Sequence, residues 1–486
     1  MSTHYLACDF GAESGRLMLG TLSDDGTLAL EELHRFPNIP IETEECLRWD
    51  IDALWAEVRQ GLKIAAQRNL PISSISVDGW GVDYILLDEN GEIMTPTYCY
   101  RDKRNQRGVD NIFAQVPWED VYAETGIQFL NFNTVYQLGA ETPERLQKAK
   151  TFLPLGDAFN YLLSGVARSE ISMASTSSMY DPKKQDWSDK LLAAAKIRRE
   201  QIAPLVESGT PLGKLKPELA QESGLGEIEV VATCSHDTGA AVAAVPAEGE
   251  NWAYLSSGTW SLIGVELQEP ILSERSRELN YTHEIGHGNT IRLLRNIIGL
   301  WIVQECRRNW EKQGTSYDYD TLTKLATEAE PFRSLINPDD QRFFNPDSML
   351  DTIAGYCEET NQPVPDSPGA FVRCALESLA LVYRSHLNEA EQLTGKTIDK
   401  LHIVGGGSKN ALLNQLAANA TGREVIAGPT EATALGNIAV QAIGLGHIQD
   451  LAAARQVIRE SMDVEAYQPQ EPDAWQAAYE HFSQLP

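Results

Sequence analysis

The stretch Glu229-Val230-Val231-Ala232-Thr233 leads, after Cys234, into Ser235-His236-Asp237-Thr238-Gly239-Ala240-Ala241-Val242. The β-branched residues of the first segment predict a strand, and the small residues of the second predict the start of a helix. A carboxylate at a strand-to-helix corner faces the open end of a sheet, where α/β proteins place their ligands. The sequence therefore predicts an α/β fold with Asp237 at its functional edge.

Two glycine-rich turns accompany this corner, one near each end of the chain. Asp9-Phe10-Gly11-Ala12-Glu13-Ser14-Gly15-Arg16 joins two predicted strands, and Gly405-Gly406-Gly407 joins a predicted strand to a predicted helix. Glycine lets the backbone approach phosphoryl oxygens, and hydroxyl or amide groups can then donate to them. One acid and two such turns, spread over nearly the whole length, predict a nucleotide cleft between two lobes.

The length of the chain sets the number of domains. A chain of 486 residues is too long for a single core, so we predict two domains, residues 1–246 and 247–486. The boundary is placed at the polar segment Pro246-Ala247-Glu248-Gly249-Glu250. Just after it, Ala253-Tyr254-Leu255-Ser256-Ser257-Gly258-Thr259-Trp260-Ser261-Leu262-Ile263 repeats the strand, turn, strand pattern of the N-terminus, which indicates a weak internal duplication.

The net charge and the cysteine content indicate which partners the chain can bind and which cellular compartment suits it. A formal net charge of −29 argues against nucleic acid and anionic membranes as partners, because both require basic patches. No stretch approaches the roughly 20 apolar residues needed to cross a bilayer. Seven cysteines at scattered spacings are typical of a reduced, cytoplasmic chain, and whether Cys357 and Cys374 pair stays open.

The first glycine turn is a candidate phosphate-binding hairpin. Gly11, Ser14 and Gly15 supply backbone access and a hydroxyl, and Arg16 adds a positive charge. Asp9, at the end of the first predicted strand, is expected to hold Mg²⁺ through water, because this ion keeps part of its hydration shell. The alternative is a simple β-turn with a solvated aspartate.

The other two turns have structural alternatives as well. Ser256-Ser257-Gly258-Thr259 is a candidate second phosphate hairpin, or else a tight turn between core strands. The triple glycine offers bare backbone to a flat ring or a ribose, or else allows close packing of a helix on a strand. It is neither a Walker loop nor a dinucleotide fingerprint, because Ser408-Lys409-Asn410 follows it.

Asp237 is the candidate general base. A carboxylate that takes the proton of an attacking hydroxyl assists phosphoryl transfer, and such base catalysis is typically worth about 10²–10⁴ in rate. Aspartate is also a preferred helix N-cap, and that structural role is the alternative. We assign the neighbouring His236 to substrate contact only.

Polar residues among apolar ones indicate a sugar site. Asp78, Trp80 and Asp83 surround Gly81, and Asn296 lies in an apolar segment. Carboxylates and amides suit sugar hydroxyls, and an indole face suits C–H groups. The alternative is that the tryptophans belong to the core and that Asn296 caps a helix.

Together these motifs resemble the FGGY carbohydrate kinases, whose lobes share the ribonuclease H-like fold of actin, hexokinase and Hsp70-type ATPases. The likeness extends nearly end to end and includes stretches far from any expected phosphate contact. These further stretches are His34-Arg35-Phe36, Asp78-Gly79-Trp80-Gly81-Val82-Asp83, Gly126-Ile127-Gln128-Phe129-Leu130-Asn131-Phe132-Asn133-Thr134, Asn296-Ile297-Ile298-Gly299-Leu300-Trp301 and Ile336-Asn337-Pro338-Asp339-Asp340-Gln341-Arg342-Phe343.

The resemblance implies a two-lobed α/β kinase with an inter-lobe cleft, which uses ATP and Mg²⁺ to phosphorylate L-rhamnulose at O1 in L-rhamnose catabolism. The N-terminal lobe is expected to carry the sugar site, the first hairpin and the base, and the C-terminal lobe the nucleotide site. The implied nucleotide contacts are Ala12, Glu13, Ser14, Gly15, Arg16, Thr259, Gln304 and Gly406. The implied sugar contacts are Gly81, His236, Asp237, Thr238 and Asn296, with Asp237 as the base.

Other functions stay open at this point. The chain could phosphorylate another ketose, such as L-fuculose, xylulose or ribulose. A more remote alternative is a non-enzymatic nucleotide switch on the actin/Hsp70 fold, which needs no base beside a sugar-sized pocket. A pure sugar-binding module is the weakest alternative, because it does not need two phosphate hairpins. The expected partners are the sugar and ATP, and the expected state is a monomer or a small homo-oligomer.

Overall fold

The computed structural model describes residues 2–486 as a mixed α/β protein. The strands are β1 Thr3–Phe10, β2 Ser14–Leu22, β3 Leu28–Pro37, β4 Ile41–Glu42, β5 Leu47–Trp49, β6 Ile72–Gly79, β7 Tyr84–Leu87, β8 Thr97–Tyr98, β9 Thr151–Pro154, β10 Ser169–Glu170, β11 Tyr180–Asp181, β12 Asp186–Trp187, β13 Leu205–Val206, β14 Thr210–Lys214, β15 Glu229–Ala232, β16 Trp252–Ser257, β17 Trp260–Leu267, β18 Thr282–Ile285, β19 Ile291–Ile298, β20 Lys400–Val404, β21 Glu424–Ala427 and β22 Glu465–Tyr467.

The helices alternate with these strands along much of the chain. They are α1 Ile51–Ala66, α2 Asn105–Phe113, α3 Trp118–Thr125, α4 Thr134–Gly139, α5 Pro143–Lys148, α6 Leu155–Ser164, α7 Ile171–Ser175, α8 Asp189–Ala194, α9 Pro217–Ser223, α10 Asp237–Ala243, α11 Glu274–Glu278, α12 Trp301–Lys312, α13 Tyr319–Glu328, α14 Met349–Glu359, α15 Pro368–Thr394, α16 Ala411–Thr421, α17 Ala432–Gly444, α18 Leu451–Ser461 and α19 Pro472–Phe482.

The chain forms two compact units that are interrupted in sequence. The first unit comprises Met1–Pro246, Glu266–Leu293 and Ala432–Ser461, and the second comprises Ala247–Val265, Leu294–Glu431 and Met462–Pro486. The first break, after Pro246, coincides with the predicted domain boundary. The division into functional domains 1–246 and 247–486 stays a prediction, because two later segments pack with the first unit.

The sheet of the first unit has the order β14-β15-β6-β1-β2-β3. Strands β1, β6 and β15 are parallel, whereas β2 and β3 continue the sheet in antiparallel fashion. Parallel strands end at the same edge of a sheet, so Asp9 lies opposite Asp78, and Gly79 bridges His236. The register therefore places Asp9, Asp78 and the corner that carries Asp237 at one edge of the sheet.

Helix α17 stabilises this edge through buried amide side chains. Gln441 donates to the carbonyl of Leu6 in β1 and accepts from the hydroxyl of Ser74 in β6. Asn437, one turn earlier, donates to the carboxylate of Asp78. Fully buried amides of this kind must be hydrogen-bonded, so they fix the position of the helix on the sheet.

The second sheet has the order β18-β19-β17-β16-β20-β21-β22. Strand β16 pairs antiparallel with β17 and parallel with β20, which in turn pairs parallel with β21. The first sheet has the same arrangement, because β1 pairs antiparallel with β2 and parallel with β6. The strand pattern after residue 252 thus repeats the N-terminal one in pairing as well as in sequence.

Helices α12, α15 and α16 belong to the second unit. Asn296 lies inside β19, so it does not cap a helix. Among residues 2–486, no helix combines the length and the apolar character that crossing a bilayer demands. All seven cysteines are free thiols, including Cys357 and Cys374.

Candidate active site

The centre of the candidate site is the corner between β15 and α10. Asp237 is the first residue of α10, and His236 occupies the N-cap position, so the capping alternative does not describe Asp237. The Oδ1 atom of Asp237 accepts from the backbone N–H of Thr238 at 2.6 Å and from the Thr238 hydroxyl at 3.2 Å. Its side chain is 29% exposed, so a ligand can reach the carboxylate.

The electrostatic surroundings make Asp237 a stronger base than an ordinary aspartate. Burial raises its pKa, His236 offsets part of that rise, and the carboxylate of Asp9 adds to it. A higher pKa means that the carboxylate binds a proton more tightly. Catalytic bases need a pKa nearer to neutrality than that of a free carboxylate.

Two buried charged residues lie against the Nδ1 atom of His236. The Nη2 atom of Arg292 donates to Nδ1 of His236 at 3.0 Å, and Oε2 of Glu284 lies 3.4 Å from the same nitrogen. Arg292 and Glu284 pair with each other at 3.2 Å. Burial alone would raise the pKa of Glu284, but Arg292 and His236 bring it below its usual value, so the carboxyl is ionised.

The roles of Arg292 and Glu284 were not predicted from the sequence. Both lie in apolar strands, in Thr282-His283-Glu284-Ile285 and Ile291-Arg292-Leu293-Leu294. A charged residue in the middle of such a segment is a signal, because charged residues are almost never fully buried unless paired. The sequence does not reveal that the two residues are partners of each other and of His236.

The loop between β6 and β7 places Gly81 against His236. A Cβ atom on Gly81 would lie 3.2 Å from Nε2 of His236 and 3.3 Å from the side chain of Thr176. Val82 has a φ of +69°, which is rare for a β-branched residue. Its carbonyl accepts from Thr134 and Gln137, and these bonds hold the strained conformation in place.

Asp83 anchors the same loop from inside the protein. Its Oδ2 atom accepts from the indole N–H groups of Trp49 and Trp80 and from the backbone N–H of Tyr100, and its Oδ1 atom accepts from Gln137. Burial raises the pKa of Asp83 to about 6 against these hydrogen bonds. Trp80 and Asp83 are both buried, so the core alternative holds for them and a direct sugar contact does not.

Three carboxylates converge at the edge of the first sheet. Asp78 is fully buried, and its burial together with the negative charges of Asp9 and Asp237 raises its pKa well above the usual value. Asp9 forms an ion pair with Arg16, so two residues with separate predicted roles contact each other. Within residues 2–486, no cluster of three or more His, Cys, Asp or Glu side chains is arranged to hold a metal.

The first glycine turn is a closed hairpin tip. The N–H of Gly11 donates to the carbonyl of Ser14, and Asn38 hydrogen-bonds the carbonyls of Gly11 and Glu13. A Cβ atom on Gly15 would lie 2.2 Å from the ring of Phe36, so packing alone requires glycine there. The side chain of Glu13 is exposed, whereas its backbone belongs to the turn.

The second hairpin connects to helix α12 in the second unit. The backbone N–H groups of Leu300 and Trp301 donate to the carbonyls of Gly258 and Thr259, both at 3.1 Å. Gln304 follows one turn later, and its Oε1 atom is buried without a hydrogen-bond partner among the described residues. Such an unsatisfied acceptor is costly unless a ligand donates to it.

The triple glycine divides into one packing residue and one open residue. A Cβ atom on Gly407 would lie 2.0 Å from the hydroxyl of Ser257, whereas a Cβ atom on Gly406 would meet nothing within 4 Å. Gly405 has a φ of +85°, which favours glycine. The packing alternative therefore holds for Gly407, and exposed Gly406 offers the bare backbone that a flat ring requires.

Comparison with known proteins decides the family. Residues 4–244 match the N-terminal domain of the FGGY family of carbohydrate kinases, and residues 253–445 match its C-terminal domain. The chain belongs to the FGGY family of carbohydrate kinases. It is 44% identical over 485 residues to the rhamnulokinase of Bacteroides thetaiotaomicron, which covers 99% of each chain. It is 40% identical over 469 residues to the rhamnulokinase of Bacillus subtilis, which covers 96% of each chain.

Solved structures show that this carbohydrate kinase has the fold of other sugar kinases. Ligand-bound xylulose kinase from Lactobacillus acidophilus superposes with a TM-score of 0.81 at 15% identity, over 99% of this chain and 97% of the other. Plasmodium falciparum glycerol kinase with ADP superposes with a TM-score of 0.78 at 14% identity, over 99% and 97%. At this identity the likeness concerns the fold alone.

The predicted site residues of the kinase fall into two groups. In the first unit, Gly81, His236, Asp237 and Thr238 are brought together at the β15–α10 corner, and Ala12–Arg16 form the hairpin tip of β1 and β2. In the second unit, Thr259 lies in the turn between β16 and β17, and Gln304 lies on α12, whose first residues bond that turn. Gly406 precedes Gly407, which packs on Ser257. Asn296 belongs to the second unit and is partly exposed on β19.

Proposed function

We propose that this kinase transfers the γ-phosphoryl group of ATP to the O1 hydroxyl of L-rhamnulose in the cytoplasm, as a step of L-rhamnose catabolism. The products are L-rhamnulose 1-phosphate and ADP. The observation that carries the proposal is the accessible Asp237 carboxylate, whose pKa is raised and whose Oδ1 atom is held by Thr238. The rhamnulokinase name of relatives over nearly the whole length supports the choice of sugar.

Asp237 takes the proton of the attacking hydroxyl. As the bond between O1 and the γ-phosphorus forms, the bond from that phosphorus to the bridging oxygen breaks and its electrons leave with ADP. The O1 proton passes to the carboxylate of Asp237. General-base assistance of this kind supplies about 10²–10⁴ in rate, so orientation and charge neutralisation must supply the remainder.

The sugar contacts in this proposal come from four further residues. Gly81 and Thr238 lie beside His236 and Asp237 in the first unit, and Asn296 adds an amide. The backbone of Gly81, the hydroxyl of Thr238 and the amide of Asn296 are suited to sugar hydroxyls, and the ring of His236 lies beside them. Hydrogen bonds of this kind orient the ketose so that its O1 atom meets Asp237.

The nucleotide contacts in this proposal involve both glycine turns. The backbone of Ala12–Arg16 and the side chains of Ser14 and Arg16 serve the phosphates, together with Thr259. The unpartnered Oε1 atom of Gln304 accepts from a ribose hydroxyl or an amino group, and Gly406 lies against a flat face.

Asp9 is the proposed contact for Mg²⁺, through water. The chemistry fits a contact through water, because carboxylate oxygens are the ligands of this hard cation and Asp9 lies opposite Asp78 at the end of the first sheet. When bound, Mg²⁺ neutralises phosphate charge. We also propose that residues 1–246 carry the sugar site, the first phosphate hairpin and the base, and that residues 247–486 carry the nucleotide site. The protein is proposed to be a monomer or a small homo-oligomer without nucleic-acid or membrane partners.

A ketose panel tests the proposed function. ADP release is measured with MgATP and each of L-rhamnulose, L-fuculose, xylulose and ribulose, with a no-sugar control. We expect the highest kcat/KM with L-rhamnulose. A higher value with another ketose would assign the enzyme to that sugar, and ATP binding without any ketose-stimulated ADP release would favour a nucleotide switch.

A further inference from the structure

The imidazole of His236 lies between two different sets of partners. Its Nδ1 atom is 3.0 Å from Nη2 of Arg292 and 3.4 Å from Oε2 of Glu284. Its Nε2 atom is 3.3 Å from Oδ1 of Asp237. A neutral imidazole has one N–H proton, so one of its two nitrogens donates a hydrogen bond and the other accepts one.

Arg292 indicates which nitrogen of His236 accepts a hydrogen bond, because a guanidinium donates hydrogen bonds and cannot accept them. The Nη2–H group of Arg292 forms a hydrogen bond with Nδ1 at 3.0 Å, whereas Oε2 of Glu284 lies farther from Nδ1, at 3.4 Å, and pairs with Nη2 of Arg292. The shorter contact favours a lone pair on Nδ1 that faces Arg292. The proton of the neutral ring then resides on Nε2, which faces Asp237.

We propose that Arg292 is a positioning residue that holds His236 in the Nε2–H tautomer and thereby orients the carboxylate of Asp237. This inference rests on the proposed role of Asp237 as the base. Arg292 is fully buried and is also bonded through Nε to the carbonyl of Ile285, so its guanidinium is fixed relative to β18. Glu284 balances the buried charge, which would otherwise be costly.

The Nε2–H tautomer adds a third donor group beside the Oδ1 atom of Asp237. Within residues 2–486, both hydrogen bonds from Thr238 go to Oδ1, and the Nε2 atom of His236 lies nearest to the same oxygen. With three donor groups around Oδ1, Oδ2 is the oxygen that accepts the sugar proton. In the opposite tautomer, a lone pair on Nε2 would face Oδ1 at 3.3 Å, and two acceptors at that distance repel.

The variant Arg292→Met tests the proposal, because we expect it to reverse the tautomer of His236. Without the guanidinium, buried Glu284 faces Nδ1 with no cation beside it, so we expect Nδ1 to become the donor and Nε2 to lose its proton. The double variant Arg292→Met/Glu284→Met removes both partners and releases the ring. The matched control is Arg145→Met, which removes another largely buried Arg–Glu pair, with Glu141, that has no contact with His236.

The direct readout is the tautomer itself, measured by two-bond ¹H–¹⁵N correlation on the full chain labelled with ¹⁵N-histidine. The spectra are recorded over a series of pH values, so that the neutral form of the ring is observed directly. His236→Gln identifies the signal. We expect the Nε2–H tautomer in the wild type and in Arg145→Met, and the Nδ1–H tautomer in Arg292→Met.

Steady-state rates give the functional readout. We expect kcat with ketose to fall about 10- to 100-fold in Arg292→Met, the size typical of lost outer partners of functional histidines. The KM for ATP should change little, and the double variant should recover part of kcat.

A wild-type Nδ1–H tautomer, or no inversion in Arg292→Met, would overturn the inference. If Arg292→Met does not fold, Arg292→Lys keeps a donor and must retain the Nε2–H tautomer. Absence of ketose turnover in the wild type would instead overturn the proposed function, while the tautomer spectra would still decide this inference.

Discussion

At the scale of single residues, Asp237 combines an accessible carboxylate with a pKa above that of a free aspartate. Burial and the charge of Asp9 account for the rise, and His236 moderates it. The same residue is restrained at one oxygen by Thr238. In the proposed role as a base, these bonds leave Oδ2 for the attacking hydroxyl.

We predict that Asp237→Asn lowers kcat with ketose by about 10²–10⁴ and leaves ATP affinity nearly unchanged. The amide keeps the shape of the side chain but cannot take the hydroxyl proton. Turnover is measured by ADP release, and ATP binding by calorimetry. Asp110→Asn, at an exposed position on α2, is the control and should behave as the wild type. Near wild-type turnover in Asp237→Asn would remove Asp237 from the mechanism.

We predict that Gly81→Ala lowers kcat/KM for the ketose by about 3- to 10-fold, because His236 must move by only a few tenths of an ångström and catalysis is sensitive to misplaced groups. The new methyl group would lie 3.2 Å from Nε2 of His236 and would displace the ring. The control is Gly355→Ala, since a Cβ there meets nothing within 4 Å. An unchanged kcat/KM in Gly81→Ala would show that the sugar does not depend on this contact.

At the scale of elements, the strand-to-helix turns carry the site. The sequence predicted the corner at Asp237, the two hairpins and the glycine turn, because strand composition and glycine spacing are local signals. It did not predict the pairing of Glu284 with Arg292, because cross-strand partners are set by register. Nor did it show that Gly407 packs on Ser257 while Gly406 stays open, since a run of glycines carries no information on the neighbouring strand.

This difference within the triple glycine gives a matched pair of variants. We predict that Gly406→Ala keeps wild-type thermal stability but raises the KM for ATP, because its methyl group projects into the proposed nucleotide face. Gly407→Ala should lower the melting temperature, because its methyl group would collide with Ser257. Melting curves and ATP kinetics separate the two effects. An unaltered KM for ATP in Gly406→Ala would remove Gly406 from the nucleotide site.

Helix α15 carries a pH-dependent ion-pair cluster in the second unit. His386 is buried, which lowers its pKa, but hydrogen bonds and charge from Asp339 and Glu389 raise it to a net value above 6.5. A raised folded-state pKa stabilises the fold fully below the unfolded value of about 6.5, and this stabilisation is lost as pH rises through the folded value.

We therefore predict that the stability difference between wild type and His386→Gln is largest below about pH 6.5 and shrinks as pH rises. Asp339 adds no slope in that range, because its pKa is lowered and its stabilisation is lost only in acid. Melting temperatures of both proteins at a series of pH values provide the measurement. A difference that grows with rising pH would contradict the assignment.

At the scale of the whole molecule, the second repeat of the strand pattern is visible in the sequence, but the assignment of helices to units is not. Helices α17 and α18 come late in the chain and nevertheless pack with the first unit. An apolar helix face shows that a helix is covered, and it does not show which sheet covers it. This is why the predicted division at residue 246 could not include these segments.

The net charge of −29 acts on the two substrates differently. A ketose is neutral, whereas ATP is an anion that the overall field repels. Binding of ATP therefore depends on local donors, which the hairpin tips and Arg16 can supply. The net negative charge is therefore compatible with an enzyme that binds its anionic substrate through a few local donors.

The most direct test of the account is the identity of the product formed from L-rhamnulose and MgATP. Phosphorus and carbon NMR of the reaction mixture shows which hydroxyl carries the new phosphate. The proposed function predicts one monoester at O1 for each ADP released. Inorganic phosphate in place of a sugar ester, or an ester at another hydroxyl, would contradict it.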